Sequence, residues 1–205
     1  MAQPEFTSPD LIFEGGPAGA ALFFMDAVTA YIALGSNLGD RVSHLQFALN
    51  ELNTIPGLQI EAVSGVYESA AHVLKSADPQ PDYLNAVVQC RVNLKPYDLL
   101  LHVLDIESRR GRVRSSGTCW LPRILDIDLI QVGDKPHKSE HLILPHPRLG
   151  ERAFVLLPLV EIAEDLHIHA PYNTGVRYLL ARCTDVAAIE RTMFTLRYPP
   201  SNEPV

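Results

Sequence analysis

Two aspartates separated by one residue are the strongest chemical signal in the sequence. Asp126 and Asp128 lie in an apolar run that predicts a strand over residues 125–132. Because alternate residues of a strand point to the same face, both carboxylates project together. Paired hard oxygen ligands suit magnesium, which takes one or two carboxylates and keeps waters and substrate phosphates as its other ligands. The alternative is an exposed strand face with two solvated acids.

A run of arginines precedes this acidic pair. The five are Arg109, Arg110, Arg112, Arg114 and Arg123. Guanidinium groups bind phosphate oxygens in a bidentate geometry, so cations beside paired acids predict a metal–phosphate site. The alternative is a solvated helix end, where cations are favoured in any case. That alternative explains Arg109 and Arg110 well but does not explain Arg123, which immediately precedes the acidic strand.

Two side chains on another predicted strand suit a flat heterocycle. Tyr83 and Asn85 are two residues apart and therefore share a strand face. An aromatic ring beside an amide that both donates and accepts hydrogen bonds can hold a ring with a polar edge. The alternative is a core tyrosine with an edge asparagine. Trp120, the single tryptophan, lies in the arginine-rich loop and either covers a ligand or caps the core.

Glu107 and His146 each have a structural and a functional interpretation. Glu107 lies on the apolar face of a predicted helix, and a buried carboxylate needs a partner. We expect an ion pair with a nearby arginine, with direct contact to metal or substrate as the alternative. His146 lies between two prolines, close to Arg148 and Arg152. It is either a hydrogen-bonded structural residue or part of a phosphate-binding site.

The elements that must position these residues follow a β-α-β, β-α-β order. Alternating or β-branched runs predict strands over residues 27–34, 58–67, 83–92 and 125–132. Apolar residues at helical spacing predict a helix over residues 42–52, capped by Asp40, and another from Pro96 to Gly111. This order predicts an α+β ferredoxin-like sandwich, with helices on one face of an antiparallel sheet. Further helices are expected near residues 151–162 and 176–182.

Length and composition predict one domain with tails. In the chain of 205 residues we expect a disordered tail over residues 1–24, a domain over 25–185 and a C-terminal extension over 186–205. The net charge of −7 opposes a nucleic-acid binder that works by neutralising phosphates. The apolar stretch 18–24 is too short to span a bilayer, and the three cysteines match no zinc or disulfide pattern. We therefore expect a cytoplasmic monomer that binds neither nucleic acid nor membrane.

Taken together and in order, the motifs resemble the 6-hydroxymethyl-7,8-dihydropterin pyrophosphokinase family of folate biosynthesis. Each motif alone is weak, whereas the ordered set over residues 28–165 is highly specific. The longer motifs are Tyr31-Ile-Ala-Leu-Gly-Ser-Asn-Leu38, Gln80-Pro-Asp-Tyr-Leu-Asn-Ala86, Gly111-Arg-Val-Arg114, Leu125-Asp-Ile-Asp-Leu129, Leu144-Pro-His-Pro-Arg148 and Glu151-Arg-Ala-Phe154. Ile106-Glu107, Trp120 and Pro122-Arg123 also match.

The resemblance implies the ferredoxin-like fold, a reaction and a set of roles. The pterin's hydroxymethyl oxygen would attack the β-phosphorus of ATP, and AMP would leave. Asp126 and Asp128 would hold two magnesium ions and act in catalysis with Arg112 and Arg123. The residues implied to bind the pterin are Ser69, Tyr83, Asn85, Trp120 and Phe154. The residues implied to bind ATP are Glu107, Arg114, His146 and Arg152.

The chain also departs from the family's usual pattern. Leu104, Leu121, His141 and Ile143 stand where glutamine, glycine, arginine and threonine are usual, and the loop after Ser69 is longer and lacks glycine. Fewer polar side chains on the nucleotide side predict weaker ATP binding. One alternative function is a catalytically weak paralogue that binds pterin or nucleotide. Another is a ferredoxin-like regulatory or RNA-binding domain, which the acidic charge and the lack of an aromatic stacking array oppose.

Overall fold

The computed structural model describes residues 27–71, 80–111, 122–185 and 188–198. The tail expected over residues 1–24 lies outside this part of the chain. The helices are α1 (Arg41–Leu52), α2 (Pro96–Arg109), α3 (Ala153–Ile162) and α4 (Val176–Ala181), with a 3-10 turn at Leu149–Glu151. The longer strands are β1 (Val28–Ser36), β2 (Leu58–Val63), β4 (Tyr83–Val92) and β5 (Asp126–Val132). The shorter strands are β3 (Tyr67–Ser69), β6 (His137–Lys138), β7 (Ile143–Leu144), β8 (His167–Ile168), β9 (Thr174–Gly175) and β10 (Ile189–Arg191).

The main sheet confirms the predicted ferredoxin-like arrangement. Its four long strands are ordered β5-β1-β4-β2, and every neighbouring pair is antiparallel. Strand β1 lies in the centre, with Gly35 paired to Asn85 on one side and to Asp126 on the other. The ends of β1, β4 and β5 therefore meet at one position of the sheet, where Asn85 and Asp126 are predicted site residues.

Both faces of the sheet are covered, because the centres of β1 (residues 30–34) and β4 (residues 86–88) are apolar on both sides. Ile32 and Leu34 pack with α1 and α2, whereas Tyr31 and Ala33 pack with Leu156 and Leu159 of α3. The period of two along a strand sends successive side chains to opposite faces, and a run without polar residues needs a cover on each. The helices expected on one face are α1 and α2. The predicted C-terminal helices cover the other face.

The region predicted as one strand over residues 58–67 is instead two strands, β2 and β3. Both pair with β4, and the break between them falls at Ser64. There the Ser64 hydroxyl accepts a hydrogen bond from Val87 N at 2.9 Å, while Ser64 N donates to Val87 O at 2.9 Å. A side-chain oxygen thus replaces a carbonyl in the ladder, which lets the strand bend without leaving a backbone group unpaired.

The helix ends follow the sequence signals. Asp40 caps α1 by accepting a hydrogen bond from Ser43 N at 3.1 Å. Pro96 is the first residue of α2, and Gly111 follows its end with a φ of +94°, a conformation that glycine adopts at little cost. Among the described residues no helix is long and apolar enough to cross a bilayer. Beyond α4, strand β10 extends the sheet by pairing with β3.

Candidate active site

The two aspartates of β5 each contact an arginine. Arg123 Nη1 donates to Asp126 Oδ1 at 2.6 Å, and Arg152 Nη1 donates to Asp128 Oδ2 at 2.6 Å. The four side chains are between 18% and 32% exposed, so the pairs lie in a partly dry recess. Charges in such a recess interact more strongly than they would on an open surface. The predicted grouping of acids with Arg123 is therefore present, and Arg152 joins it from another part of the chain.

The charge state and donor chemistry of this pair fit a magnesium ion. Burial alone would raise the pKa of Asp128, but the neighbouring Arg152 and His146 outweigh it and hold the pKa below its usual value. Asp128 is therefore ionised at neutral pH. Within the described ranges no group of three or more His, Cys, Asp or Glu residues gathers around a possible ion site. An ion held by Asp126 and Asp128 would need water and phosphate oxygens as its other ligands, and magnesium is usually coordinated in this way.

A first cavity of about 230 Å³ brings the predicted pterin residues to this acidic pair. Its lining includes Ser69, Tyr83, Asn85 and Phe154, together with Arg123, Asp126, Asp128 and Arg152. Tyr83 and Asn85 share a face of β4, as their spacing predicts, and Phe154 reaches the cavity from the first turn of α3. Two aromatic rings and one amide therefore line the same cavity as the charged side chains of Arg123, Asp126, Asp128 and Arg152.

A hydrogen bond fixes the orientation of Asn85, the amide that lines this cavity. Asn85 is 5% exposed, and its Nδ2 donates to Ser69 Oγ at 2.9 Å. That bond orients the amide, because the nitrogen is the donor and Oδ1 remains the acceptor atom. Gly35 forms the floor beside it: a Cβ at this position would lie 3.5 Å from Asn85 Oδ1 and 3.7 Å from Tyr83 Cδ1.

Residues at the end of β1 position Arg123, and the sequence analysis assigned them no role. Asn37 N donates to Arg123 O at 3.0 Å, and Asn37 Oδ1 accepts from Arg123 N at 2.6 Å. Asn37 Nδ2 donates to Pro81 O at 3.1 Å, and Ser36 Oγ donates to Ile124 O at 2.6 Å. The buried Ser36-Asn37 pair thus fastens both segments beside the cavity to β1. A strand that ends in a Gly-Ser-Asn turn is the local signal that could have indicated this.

A second cavity of about 340 Å³ lies on the other side of the acidic strand. It is lined by Glu107 and His146, both predicted to face ATP, and also by Leu104, His141 and Ile143, the positions that differ from the family's usual residues. Asp128 lines both cavities. The described pterin residues thus line the first cavity, and Glu107 and His146 line the second. Of the other two predicted ATP residues, Arg152 lines the first cavity and Arg114 lies outside the described residues. The two cavities meet at one carboxylate.

Glu107 supports the acidic strand directly. It is 1% exposed on α2, and its Oε1 accepts a hydrogen bond from Ile127 N at 2.8 Å. Ile127 lies between the two aspartates on β5, and none of the described strands pairs with the outer side of β5. This bond satisfies the N–H and gives the buried carboxylate one charge-assisted partner. Glu107 thereby fixes the strand that carries the acids, while the arginine partner expected from the sequence stays a prediction.

His146 is held as a neutral ring. Its backbone N donates to Ile130 O at 2.8 Å, and its Nδ1 accepts from Arg148 N at 3.1 Å. Burial, with the charge of Arg152 second, lowers the pKa of His146 to about 4. With Nδ1 accepting, the neutral ring carries its proton on Nε2, which makes Nε2 the donor atom of a side chain that lines the second cavity.

We predict that the wild-type protein becomes less stable as the pH is lowered from 7 to 4, because of His146. In the unfolded chain a histidine takes up its proton near pH 6.5, whereas the folded ring resists protonation until about pH 4. Between these values the unfolded state binds more protons, so the free energy of unfolding decreases as the pH falls. The slope from one such group is at most about 1.4 kcal/mol per pH unit.

Urea unfolding between pH 7 and pH 4, without divalent cations, measures this effect. His146→Gln should lose less stability than wild type over this window, whereas His102→Gln, at an exposed position of α2, should run parallel to wild type. A constant difference between wild type and His146→Gln across the window would contradict the prediction.

Several other predicted residues lie elsewhere. Arg109 pairs with Glu51 and Asp105, and Arg110 Nε donates to His44 Nδ1 at 2.8 Å. Both arginines thus stabilise the end of α2, as the structural alternative held.

Arg112, Arg114 and Trp120 lie outside the described residues, as does Leu121. Arg148, by contrast, lines the first cavity although the sequence analysis gave it no role of its own.

Comparison with known proteins identifies the family. Residues 31–164 match the family model described as 7,8-dihydro-6-hydroxymethylpterin-pyrophosphokinase (HPPK). A Synechocystis protein named 2-amino-4-hydroxy-6-hydroxymethyldihydropteridine pyrophosphokinase is 43% identical over 136 residues, which are 66% of this chain and 67% of that protein. A protein of the same name from Methylorubrum extorquens is 40% identical over 163 residues, which are 79% of this chain and 97% of that protein.

A solved structure supports the fold. The HPPK-DHPS protein of Plasmodium falciparum, crystallised with pteroate, matches with a TM-score of 0.59 at 14% identity. The match covers 78% of this chain but only 42% of the other, so this chain spans less than half of that protein. The shared sheet, the family model and the relatives at about 40% identity agree. This chain belongs to the 7,8-dihydro-6-hydroxymethylpterin pyrophosphokinase family.

Proposed function

We propose that this chain transfers the pyrophosphoryl group of ATP to the hydroxymethyl oxygen of 6-hydroxymethyl-7,8-dihydropterin. The alcohol oxygen bonds to the β-phosphorus, the bond from that phosphorus to the α–β bridging oxygen breaks, and AMP leaves while the alcohol gives up its proton. The observation that carries this proposal is the meeting of two different cavities at Asp128, one aromatic and polar and the other lined by the nucleotide-side residues.

The first cavity suits the pterin. Tyr83 and Phe154 supply aromatic faces for a flat ring, and Asn85, oriented by Ser69, supplies an amide for its polar edge. The alcohol would then lie toward the charged wall at Asp126 and Asp128. Trp120, which lies outside the described residues, is proposed to contact the pterin from the arginine-rich loop.

The acidic and basic groups suit the phosphates. Asp126 and Asp128 would hold magnesium, which when bound supplies positive charge to the phosphate oxygens. Arg123 and Arg152 lie against these acids and can bind phosphate oxygens in the same recess. Phosphoryl transfer depends mainly on positioning and charge stabilisation, so the site needs no nucleophilic side chain. Arg112 and Arg114 are proposed to add cations, and Glu107 and His146 to line the nucleotide cavity.

An assay for AMP release tests this proposal. With the pterin alcohol, ATP and magnesium together we expect AMP in amounts equal to the pyrophosphorylated pterin, and no AMP when any one of the three is omitted. Binding of ATP and pterin without AMP release would contradict the proposal and would favour the weakly catalytic paralogue.

We predict that restoring polar side chains in the second cavity tightens ATP binding. Leu104 and Ile143 line this cavity but offer no side-chain hydrogen bond. Each new bond in Leu104→Gln and Ile143→Thr should contribute about 0.5–1.5 kcal/mol, so calorimetric titration should show an ATP Kd about 5- to 160-fold lower in the double variant.

Leu101→Gln is the matched control, because Leu101 is 46% exposed on the same helix. It should leave ATP affinity unchanged. An unaltered or weakened affinity in the double variant would show that positions 104 and 143 do not face the nucleotide.

A further inference from the structure

The segment from His146 to Phe154 carries several site residues on very little regular structure. His146 lines the second cavity, and Arg148, Arg152 and Phe154 line the first. Between His146 and the start of α3 the regular structure is the three-residue 3-10 turn Leu149–Glu151. Short turns of this kind have poor hydrogen-bond geometry and do not by themselves hold a rigid position. Contacts from outside the segment must therefore define where these side chains lie.

The first such contact is Tyr172, in the turn between β8 and β9. Its hydroxyl donates to Pro147 O at 2.8 Å, lies 3.1 Å from His146 O, and accepts from Gly150 N at 3.2 Å. Its ring lies directly on Gly150, where an added Cβ would meet Tyr172 Cε1 at 3.1 Å. One side chain thus joins both ends of the turn that lies between His146 and Arg152.

The second contact is Asp185, after α4. Its Oδ2 accepts a hydrogen bond from Ala153 N at 3.1 Å. Ala153 is the first residue of α3, and Arg152, at the capping position, makes no side-chain capping bond. The first N–H groups of a helix need acceptors, and a carboxylate at this end is favoured by the helix dipole. Asp185 therefore caps α3 from a distant part of the sequence, at the residue between Arg152 and Phe154.

We propose that Tyr172 and Asp185 are positioning residues for substrate binding, each acting on one end of the segment from His146 to Phe154. Both lie beyond residues 31–164, the part of the chain that matches the family model. Tyr172 sets the turn that carries His146 and Arg148, and Asp185 sets the start of α3 with Arg152 and Phe154. This inference rests on the proposed function, which assigns phosphate and pterin to those side chains.

Binding measurements on the full chain test this proposal. Tyr172→Phe keeps the ring on Gly150 and removes only the hydroxyl, so the Kd of magnesium-ATP should rise about 10-fold, as expected for the loss of two hydrogen bonds. Asp185→Ala should raise the Kd of the pterin alcohol about 5-fold, and Asp185→Asn, which keeps an acceptor oxygen, should restore it. Calorimetry gives both constants, and a thermal melt of each variant gives its stability.

Matched controls separate positioning from general effects. Tyr178→Phe removes a hydroxyl that is bonded to Arg182 on exposed α4, and Asp165→Ala removes an exposed carboxylate. Both controls should bind like wild type. If Tyr172→Phe lowers the melting temperature without changing either Kd, or if Asp185→Asn fails to restore binding, the proposal is overturned.

Failure of the proposed function would be distinguishable from failure of this positioning proposal. A wild-type protein that binds both ligands but releases no AMP would refute the reaction while leaving the comparison of affinities valid. A wild-type protein that binds neither ligand would overturn both proposals.

Discussion

Replacing Asp126 or Asp128 by asparagine is expected to lower the rate of AMP release at least ~100-fold. Each asparagine keeps the shape of the side chain and one acceptor oxygen for its arginine, but it removes the negative charge that would hold magnesium. The phosphates would then be poorly neutralised in the transition state. Steady-state kinetics with varied magnesium concentration measure the loss, which excess magnesium should only partly restore.

Asparagine is a sharper test than alanine because both aspartates are paired. Asp128→Ala would leave Arg152, whose side chain is 18% exposed, without its partner, and an unpaired buried charge can cost about 3–5 kcal/mol of stability. Asp128→Ala would therefore lower stability as well as activity, and the two effects would be hard to separate. Asp105→Asn, at an exposed ion pair with Arg109, is the control and should keep the wild-type rate. Retention of more than about a tenth of the rate in both site variants would refute the metal assignment.

Gly35→Val is expected to weaken binding of the pterin alcohol about 100-fold while the sheet stays folded. Gly35 lies at the centre of the sheet between Asn85 and Asp126, and its open face is the floor of the first cavity. Valine suits a strand, but its methyl groups would occupy space next to Asn85 Oδ1 and Tyr83. Overpacking of this kind typically costs about 1–3 kcal/mol. At Gly35 the cost would reduce the free energy of pterin binding, because the cavity is open when no ligand is bound.

Gly35→Ala provides a graded comparison at the same position. A single Cβ would make contacts of 3.5–3.9 Å with Asn85, Tyr83 and Asp126, which are ordinary packing distances. We therefore expect a much smaller loss of pterin affinity, and ATP affinity should change little in either variant. Equal pterin affinity for valine and wild type would show that the ring does not lie over Gly35.

Local pattern in the sequence determined the elements and the faces they present. The order of strands and helices, the cap at Asp40 and the start at Pro96 follow from residue types and their spacing. The period of two placed Asp126 with Asp128, and Tyr83 with Asn85, on shared faces. These features are readable because backbone geometry acts over a few residues, so the responsible side chains are neighbours in the chain.

Only the tertiary structure decided which distant residues meet. Arg152 pairs with Asp128 across 24 positions, and Glu107 accepts from Ile127 N across 20. The sequence marked Glu107 as a buried acid needing a partner, but a buried carboxylate is satisfied equally by a guanidinium or by a backbone N–H. The Ile127 N–H is available to Glu107 because of the register of β5 and its place at the edge of the described sheet, while the expected arginine partner stays a prediction. Gly35 became a site residue for the same reason. Long-range strand pairing brings Asn85 and Asp126 to its two sides. The spacing of residues along one strand does not predict which strands pair with it.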